Sequence, residues 1–205
     1  MGLHNAPYRE TVSAHKPRDE RVGYHHVVTR GNNKQRIYLS NADRRRFLEL
    51  VNYVAEKYYW EILAYCLMRN HYHLVVRVTE GGLSRGMCEL NGAYSLHFNR
   101  THNRINHLFG KRYWSEYLDE KHLRNAIRYV IQNPRRAGAR GPLEAHAWTS
   151  YRASIGLALS FPRFARDELL ALFGSKPAEA VGAFIAFCEA PRTSGEREPP
   201  RRQPP

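Results

Sequence analysis

The sequence has no run of eighteen consecutive apolar residues, the length a membrane-spanning helix requires. Its opening, MGLHNAPYRE, lacks the apolar stretch of a secretory signal, and Ala6 stands where an N-myristoylation signal needs Ser or Thr. A cytoplasmic protein without a membrane partner is expected. Cysteine is scarce: Cys66, Cys88 and Cys188 are too few and too widely separated for a disulfide framework or a cysteine zinc site, and they suit a reducing compartment. Internal repeats are absent, as is the glycine-rich phosphate loop of a helicase. Acidic residues are the most telling shortage. Nineteen Asp and Glu face thirty-two Lys and Arg, for a net charge of +13 and a pI near 10.0. That balance points to a polyanionic partner, most often nucleic acid, and to association with the nucleoid.

At 205 residues with 42% hydrophobic content, the chain can bury one substantial core and a small appendage. Four segments are expected: a flexible basic arm over 1–21, a main domain over 22–141, a helical extension over 142–190, and a disordered basic tail over 191–205, where the composition falls to PRTSGEREPPRRQPP. Within the main domain, Tyr24 to Arg30 (YHHVVTR) reads as a strand closed by the turn-forming Gly31-Asn32-Asn33. Asn41 or Asp43 can cap a helix to about Tyr58, given the spacing of Phe47, Leu50, Val51 and Val54. Trp60 to Cys66 is a second strand, Leu67 to Asn70 a link, and His71 to about Thr79 a third strand. A second helix, about Leu83 to Arg100, carries Leu83, Met87, Leu90, Tyr94 and Phe98 on one stripe, and Tyr113 to Leu118 reads as a fourth strand. This βαββαβ order predicts an α+β fold of ferredoxin-like type, an antiparallel four-stranded sheet with both helices on one face and the other face open. A third helix follows from Asp119 to Gln132, halted by Asn133-Pro134. Its apolar stripe is Leu123, Ile127 and Val130, flanked by His122, Asn125, Tyr129 and Asn133. Two shorter helical patterns, Asp167 to Phe173 and Pro177 to Cys188, belong to the extension.

The chemistry centres on His71-Tyr72-His73. Successive strand side chains point to opposite faces, so His71 and His73 project together with Val75 and Arg77 toward the open face, while Tyr72, Leu74, Val76 and Val78 face the core. Two imidazoles on one side of a strand can hold one metal ion; the same pair also suits plain half-buried packing.

Several further runs accompany this pair in order: Gly31-Asn32-Asn33-Lys34-Gln35, Tyr65-Cys66-Leu67-Met68 leading into Asn70-His71-Tyr72-His73-Leu74, Phe98-Asn99-Arg100, Tyr129 to Asn133-Pro134 with Arg136-Ala137-Gly138, and Trp148-Thr149-Ser150-Tyr151-Arg152. Over roughly residues 22–190 the chain thereby resembles the REP-associated tyrosine transposases, members of the HUH single-tyrosine, IS200-like superfamily. The resemblance implies a metal-dependent single-strand DNA endonuclease and strand transferase acting on hairpin-forming repetitive extragenic DNA. It implies His71, His73 and Asn133 as ligands of Mg2+ or Mn2+, and Tyr129 as the nucleophile that forms a 5′-phosphotyrosine and frees a 3′-hydroxyl. These residue types suit the task. A phosphodiester's charge repels nucleophiles until a cation offsets it, and a covalent phosphotyrosine conserves the bond energy for rejoining. Four-residue spacing sets Tyr129 beside Asn133 on a helix, within reach of one phosphate.

The expected DNA contacts are Arg30, Asn32, Asn33, Lys34, Arg36, Arg69, Arg100, Arg104, Lys111, Arg112, Arg128, Arg135 and Arg136. Residues 97–140 hold ten Lys or Arg against three acids, a bias that fits phosphate tracking along single-stranded and hairpin DNA. A monomer, or a homodimer sharing Tyr129 in trans, is compatible with the motifs. The rival functions are a catalytically silent hairpin-binding protein and a rolling-circle replication initiator; the short chain, the missing phosphate loop and the single well-placed tyrosine weigh against the second. Arg69 replaces the proline expected before Asn-His, Asn106 stands where glycine is common, and Arg135 and Arg140 replace apolar residues around Arg136-Ala137-Gly138.

Overall fold

The structure, a computed structural model, describes residues 20–190. The basic arm, apart from its last two residues, and the basic tail lie outside the described residues. The strand Gly23–Arg30 (β1) is buried through His25, His26 and Val27, and a 3-10 turn at Asn32–Lys34 closes it, with Asn33 and Lys34 at φ 49° and 58°. Gly31 must be glycine, since a Cβ there would lie 2.4 Å from the Gln35 carbonyl oxygen. Helix α1 (Asn41–Lys57) is capped by Ser40, not by Asn41 or Asp43. The Ser40 hydroxyl accepts from the Asp43 amide while the Asp43 carboxylate accepts from the Ser40 amide, so Asp43 serves as the third residue of a capping box.

Strand β2 (Trp60–Met68) is two residues longer than expected and leaves only Arg69-Asn70 as the turn into β3 (His71–Val78). Helix α2 (Leu83–Thr101) and strand β4 (Trp114–Leu118) complete an antiparallel sheet of order β2-β3-β1-β4. The ferredoxin-like α+β arrangement is as predicted. Helices α1 and α2 cover one face, where the Phe47 ring lies 4.5 Å from that of Tyr72 and 5.1 Å from that of Tyr94.

The second face is not open. Helix α3 (Glu120–Ile131) lies across β2, β3 and β4, burying Leu123, Ala126, Ile127, Val130 and Ile131. Such a stripe must be covered, and the sheet offers Val75 and a β2 strand buried along nearly its whole length. Asn133 lies past the end of α3. It opens a separate four-residue helix, α4 (Asn133–Arg136), whose early proline costs no hydrogen bond.

The extension supplies α5 (Tyr151–Ser154), α6 (Arg166–Ala171) and α7 (Pro177–Glu189). It is tied into the sheet. Leu67 N donates to Trp148 O at 2.8 Å, Ser150 N to Tyr65 O at 3.0 Å, and Ile62 N to Arg163 O at 2.9 Å, which satisfies the outer edge of β2. Among the described residues no helix is long and apolar enough to cross a membrane.

Candidate functional site

The register of β1 against β3 builds the floor of the site. Arg30 pairs with His71 and Val28 with His73, which leaves His26 as the diagonal neighbour of His73 on the same face. The His26 Nε2 lies 2.9 Å from His73 Nδ1, and the two rings stack at 16° with centroids 5.2 Å apart. Trp114 of β4 walls His26 from the side, edge to face at 5.5 Å. His71 Nδ1 sits 2.8 Å from Asn70 Oδ1, an oxygen that can only accept, so His71 carries its proton on Nδ1. Its Nε2 lone pair is therefore available.

Helix α3 brings the remaining groups from above. The Tyr129 ring lies 5.7 Å from that of His73 and 5.8 Å from that of His26, and the Arg136 guanidinium is 4.7 Å from the centre of the Tyr129 ring. One turn on, Asn133 Nδ2 is 3.1 Å from His73 Nε2. With Asn133 donating there, His73 accepts on Nε2 and donates from Nδ1 to His26. Both histidines of the pair thus hold their protons on Nδ1 and turn Nε2 toward one space. The neighbouring tyrosines Tyr113 and Tyr117 lie on the opposite side of the sheet, Tyr113 against Ser84 of α2 and Tyr117 against His25.

Burial favours the neutral imidazole throughout. It holds His26 at about 3 and His71 at about 4, the latter lowered further by the Arg30 charge and partly offset by a hydrogen bond with Asn133. His73 is held well below its ordinary value by burial, then by its neighbours His26 and His71 and by Arg30. A metal ion binds the neutral imidazole, and burial keeps these rings in that form at neutral pH. The set of two imidazoles and one amide, with each ligand ring anchored through its other nitrogen, fits a divalent cation that keeps open positions. It contains no carboxylate: among the described residues, no group of three or more His, Cys, Asp or Glu side chains is gathered as a metal site.

The expected DNA contacts separate into three groups. Arg30 and Arg136 lie at the site, and Asn32, Asn33, Lys34, Arg36 and Arg69 line the neighbouring turns, the last four exposed. Arg100, on α2, and Lys111 and Arg112, on the loop that leads into β4, are exposed. The others are engaged within the fold. Arg104 bonds Gln35, and Arg135 pairs with Glu189 at 2.6 Å. Arg128 is buried with its guanidinium 4.3 Å from the Phe187 ring centre, so it anchors α7 and is not placed to reach a phosphate. His122 turns to solvent and caps α3 with Asp119, away from Tyr129. The residue that sequence reasoning missed is His26. Its signal was the doubled histidine of YHHVVTR, which becomes informative only once the β1–β3 register is known.

The family model for IS200-like transposases matches residues 20–133. No curated protein matches the chain. Among solved structures, a REP-associated tyrosine transposase bound to a REP hairpin superposes with a TM-score of 0.59 at 15% identity, covering 71% of this chain and 88% of that one. A transposase candidate from Deinococcus radiodurans R1 gives a TM-score of 0.42 at 16% identity, over 58% of this chain and 96% of that one. The family match spans more than half of the sequence and includes the histidine strand, Tyr129 and Asn133, and the chain belongs to the IS200-like transposase family.

Proposed function

We propose that the chain nicks and rejoins single-stranded DNA at hairpin-forming repetitive sites, with Tyr129 as nucleophile and His71, His73 and Asn133 as ligands of Mg2+ or Mn2+. The observation that carries this reading is the docking of α3. It sets the Tyr129 ring 5.7 Å from that of His73 and, just past its end, the Asn133 amide 3.1 Å from the His73 Nε2, bringing a phenol, an amide and the histidine pair to one place. The hairpin enters because the solved relative of this fold is bound to a REP hairpin.

A bound divalent ion would neutralise a non-bridging phosphate oxygen and orient the phosphorus. His71 and His73 present Nε2 to that position, held there through Asn70 and His26. Asn133 offers its amide oxygen once the terminal group turns over. Arg30, paired with His71, and Arg136, stacked on Tyr129, would supply positive charge for the phosphate. Tyr129 Oη attacks phosphorus as its proton passes to water. The P–O3′ bond breaks, the 3′ oxygen takes up a proton, and a 5′-phosphotyrosine remains. Attack by a 3′-hydroxyl on that phosphotyrosine reverses the sequence and joins the strands. One chain supplies every group named, so the reading needs no second copy.

The test is incubation of the protein with Mn2+ or Mg2+ and labelled hairpins carrying single-stranded flanks, followed by denaturing electrophoresis. A protein-linked strand is expected, abolished by chelation and by Tyr129→Phe, with hairpin affinity in Tyr129→Phe unchanged. Binding without any metal-dependent adduct in the wild type would assign the chain to the silent hairpin-binding class.

A further inference from the structure

On the far side of the sheet from Tyr129, a cavity of about 680 Å3 opens between α2 and the loop over 105–113. Its size lies within the range of small-ligand sites, roughly 300–1,000 Å3. Phe109, packed against Tyr72 and Tyr94 at 6.1 and 6.2 Å, gives the loop side an aromatic wall. The α2 wall carries the polar Asn91, Ser95 and Asn99 beside Met87 and Cys88, and a Cβ on Gly92 would meet nothing within 4 Å. Lys111 and Arg112 stand exposed at the rim; among the described residues no acidic side chain is part of the lining, and the Glu20 carboxylate accepts from the Ser84 amide at one end. An aromatic surface, amides and two exposed cations suit a planar, hydrogen-bonding group attached to an anion.

The cavity is also joined to the candidate site. Its loop is bonded to the Gly31–Gln35 turn, Asn32 N to Leu108 O at 2.9 Å and Gly110 N to Arg30 O at 3.2 Å. The same turn is bonded to the histidine hairpin, Gly31 N to Asn70 O at 2.8 Å and Asn70 Nδ2 to Lys34 O at 3.1 Å. A strand crossing the exposed side chains of Asn33 and Lys34 would run from one to the other.

We propose that this cavity binds an unpaired nucleotide of the DNA strand, its base against Phe109 and its phosphate on Lys111 and Arg112. The proposal rests on the chain's acting on DNA but not on the cleavage chemistry of Tyr129. Stacking and amide contacts hold the base, and the cations hold the backbone.

The structure supplies its own reporter. Cys88 is exposed and lines the cavity, whereas Cys66 and Cys188 are buried. A single-stranded oligonucleotide should therefore slow alkylation of the protein by N-ethylmaleimide, and a blunt hairpin without a flank should not. Gly92→Leu fills the groove from an open helix position and should fold as the wild type does. It should weaken binding of a flanked hairpin roughly ten-fold or more and leave the blunt hairpin unchanged. Lys111→Ala should lower the salt dependence by about one phosphate contact. Equal alkylation with and without the oligonucleotide, or equal flanked-hairpin affinity in Gly92→Leu, overturns the proposal. A wild type that binds flanked hairpins through this groove but never cleaves them would sink the nuclease reading and leave the groove assigned.

Discussion

The Nε2 of His26 lies 2.9 Å from the Nδ1 of His73, inside a stack of two buried imidazoles. The contact dictates which nitrogen of His73 keeps a lone pair for the space shared with Asn133. Replacing His26 with Phe removes the acceptor, frees His73 to change tautomer, and should weaken Mn2+ binding about 10- to 100-fold. His26→Gln restores an acceptor and should stay within a few-fold of wild type. Paramagnetic resonance of free Mn2+ measures the affinities, and nitrogen NMR of the metal-free protein should show mixed His73 tautomers only in His26→Phe. Equal affinities in the two variants would reduce His26 to packing.

The element order and the two-helix layer were legible because each rests on local periodicity: Tyr72, Leu74, Val76 and Val78 recur at every second position, and Leu83, Met87, Leu90, Tyr94 and Phe98 repeat at helical spacing. His26 was not legible, since its role depends on which residue of β1 faces His73, a property of two strands and not of either one. The docking of α3 on the second face could be posed from its stripe but not settled, because the surface it covers is assembled from three strands. Arg128 shows the limit of reading charge. In sequence it is one more cation in a basic run, and only the Phe187 ring beside it reveals an internal anchor.

Asn133 gives the second prediction. Because the proposed ligand set is neutral, affinity should rise with ligand charge. Asn133→Asp should bind Mn2+ more tightly than wild type and Asn133→Ala more weakly, by isothermal titration of the DNA-free protein. The reverse order would place the ion, if any, away from Asn133.

Two glycines on α2 should respond in opposite directions. A Cβ on Gly86 would lie 2.3 Å from Trp60 Cζ2, whereas one on Gly92 meets nothing within 4 Å. Gly-to-Ala in a helix normally stabilises by about 0.5–1 kcal/mol, and Gly92→Ala should do so. In Gly86→Ala that gain is outweighed by overpacking against the buried indole, which costs about 1–3 kcal/mol. Urea unfolding should therefore move the two midpoints apart, and parallel shifts would show that α2 does not sit on Trp60 as described.

Acid should find the start of α1. Asp43 accepts from the amides of Leu39 and Ser40 at 2.8 and 2.7 Å, and its other oxygen lies 2.9 Å from His102 Nε2. Burial pushes its pKa up, but the hydrogen bonds from His102, from the two amides and from Ser40 outweigh that, and the net shift is downward. A folded pKa below the unfolded one means the carboxylate stabilises the fold above the unfolded value, about 4, and that this contribution is lost as pH falls through the folded pKa. At neutral pH, Asp43→Asn should cost about 1–2 kcal/mol through the weakened cap. The gap between wild type and variant should narrow as unfolding is repeated from pH 5 down to pH 3. A gap that stays constant over that range would show that the Asp43 charge contributes nothing to the cap.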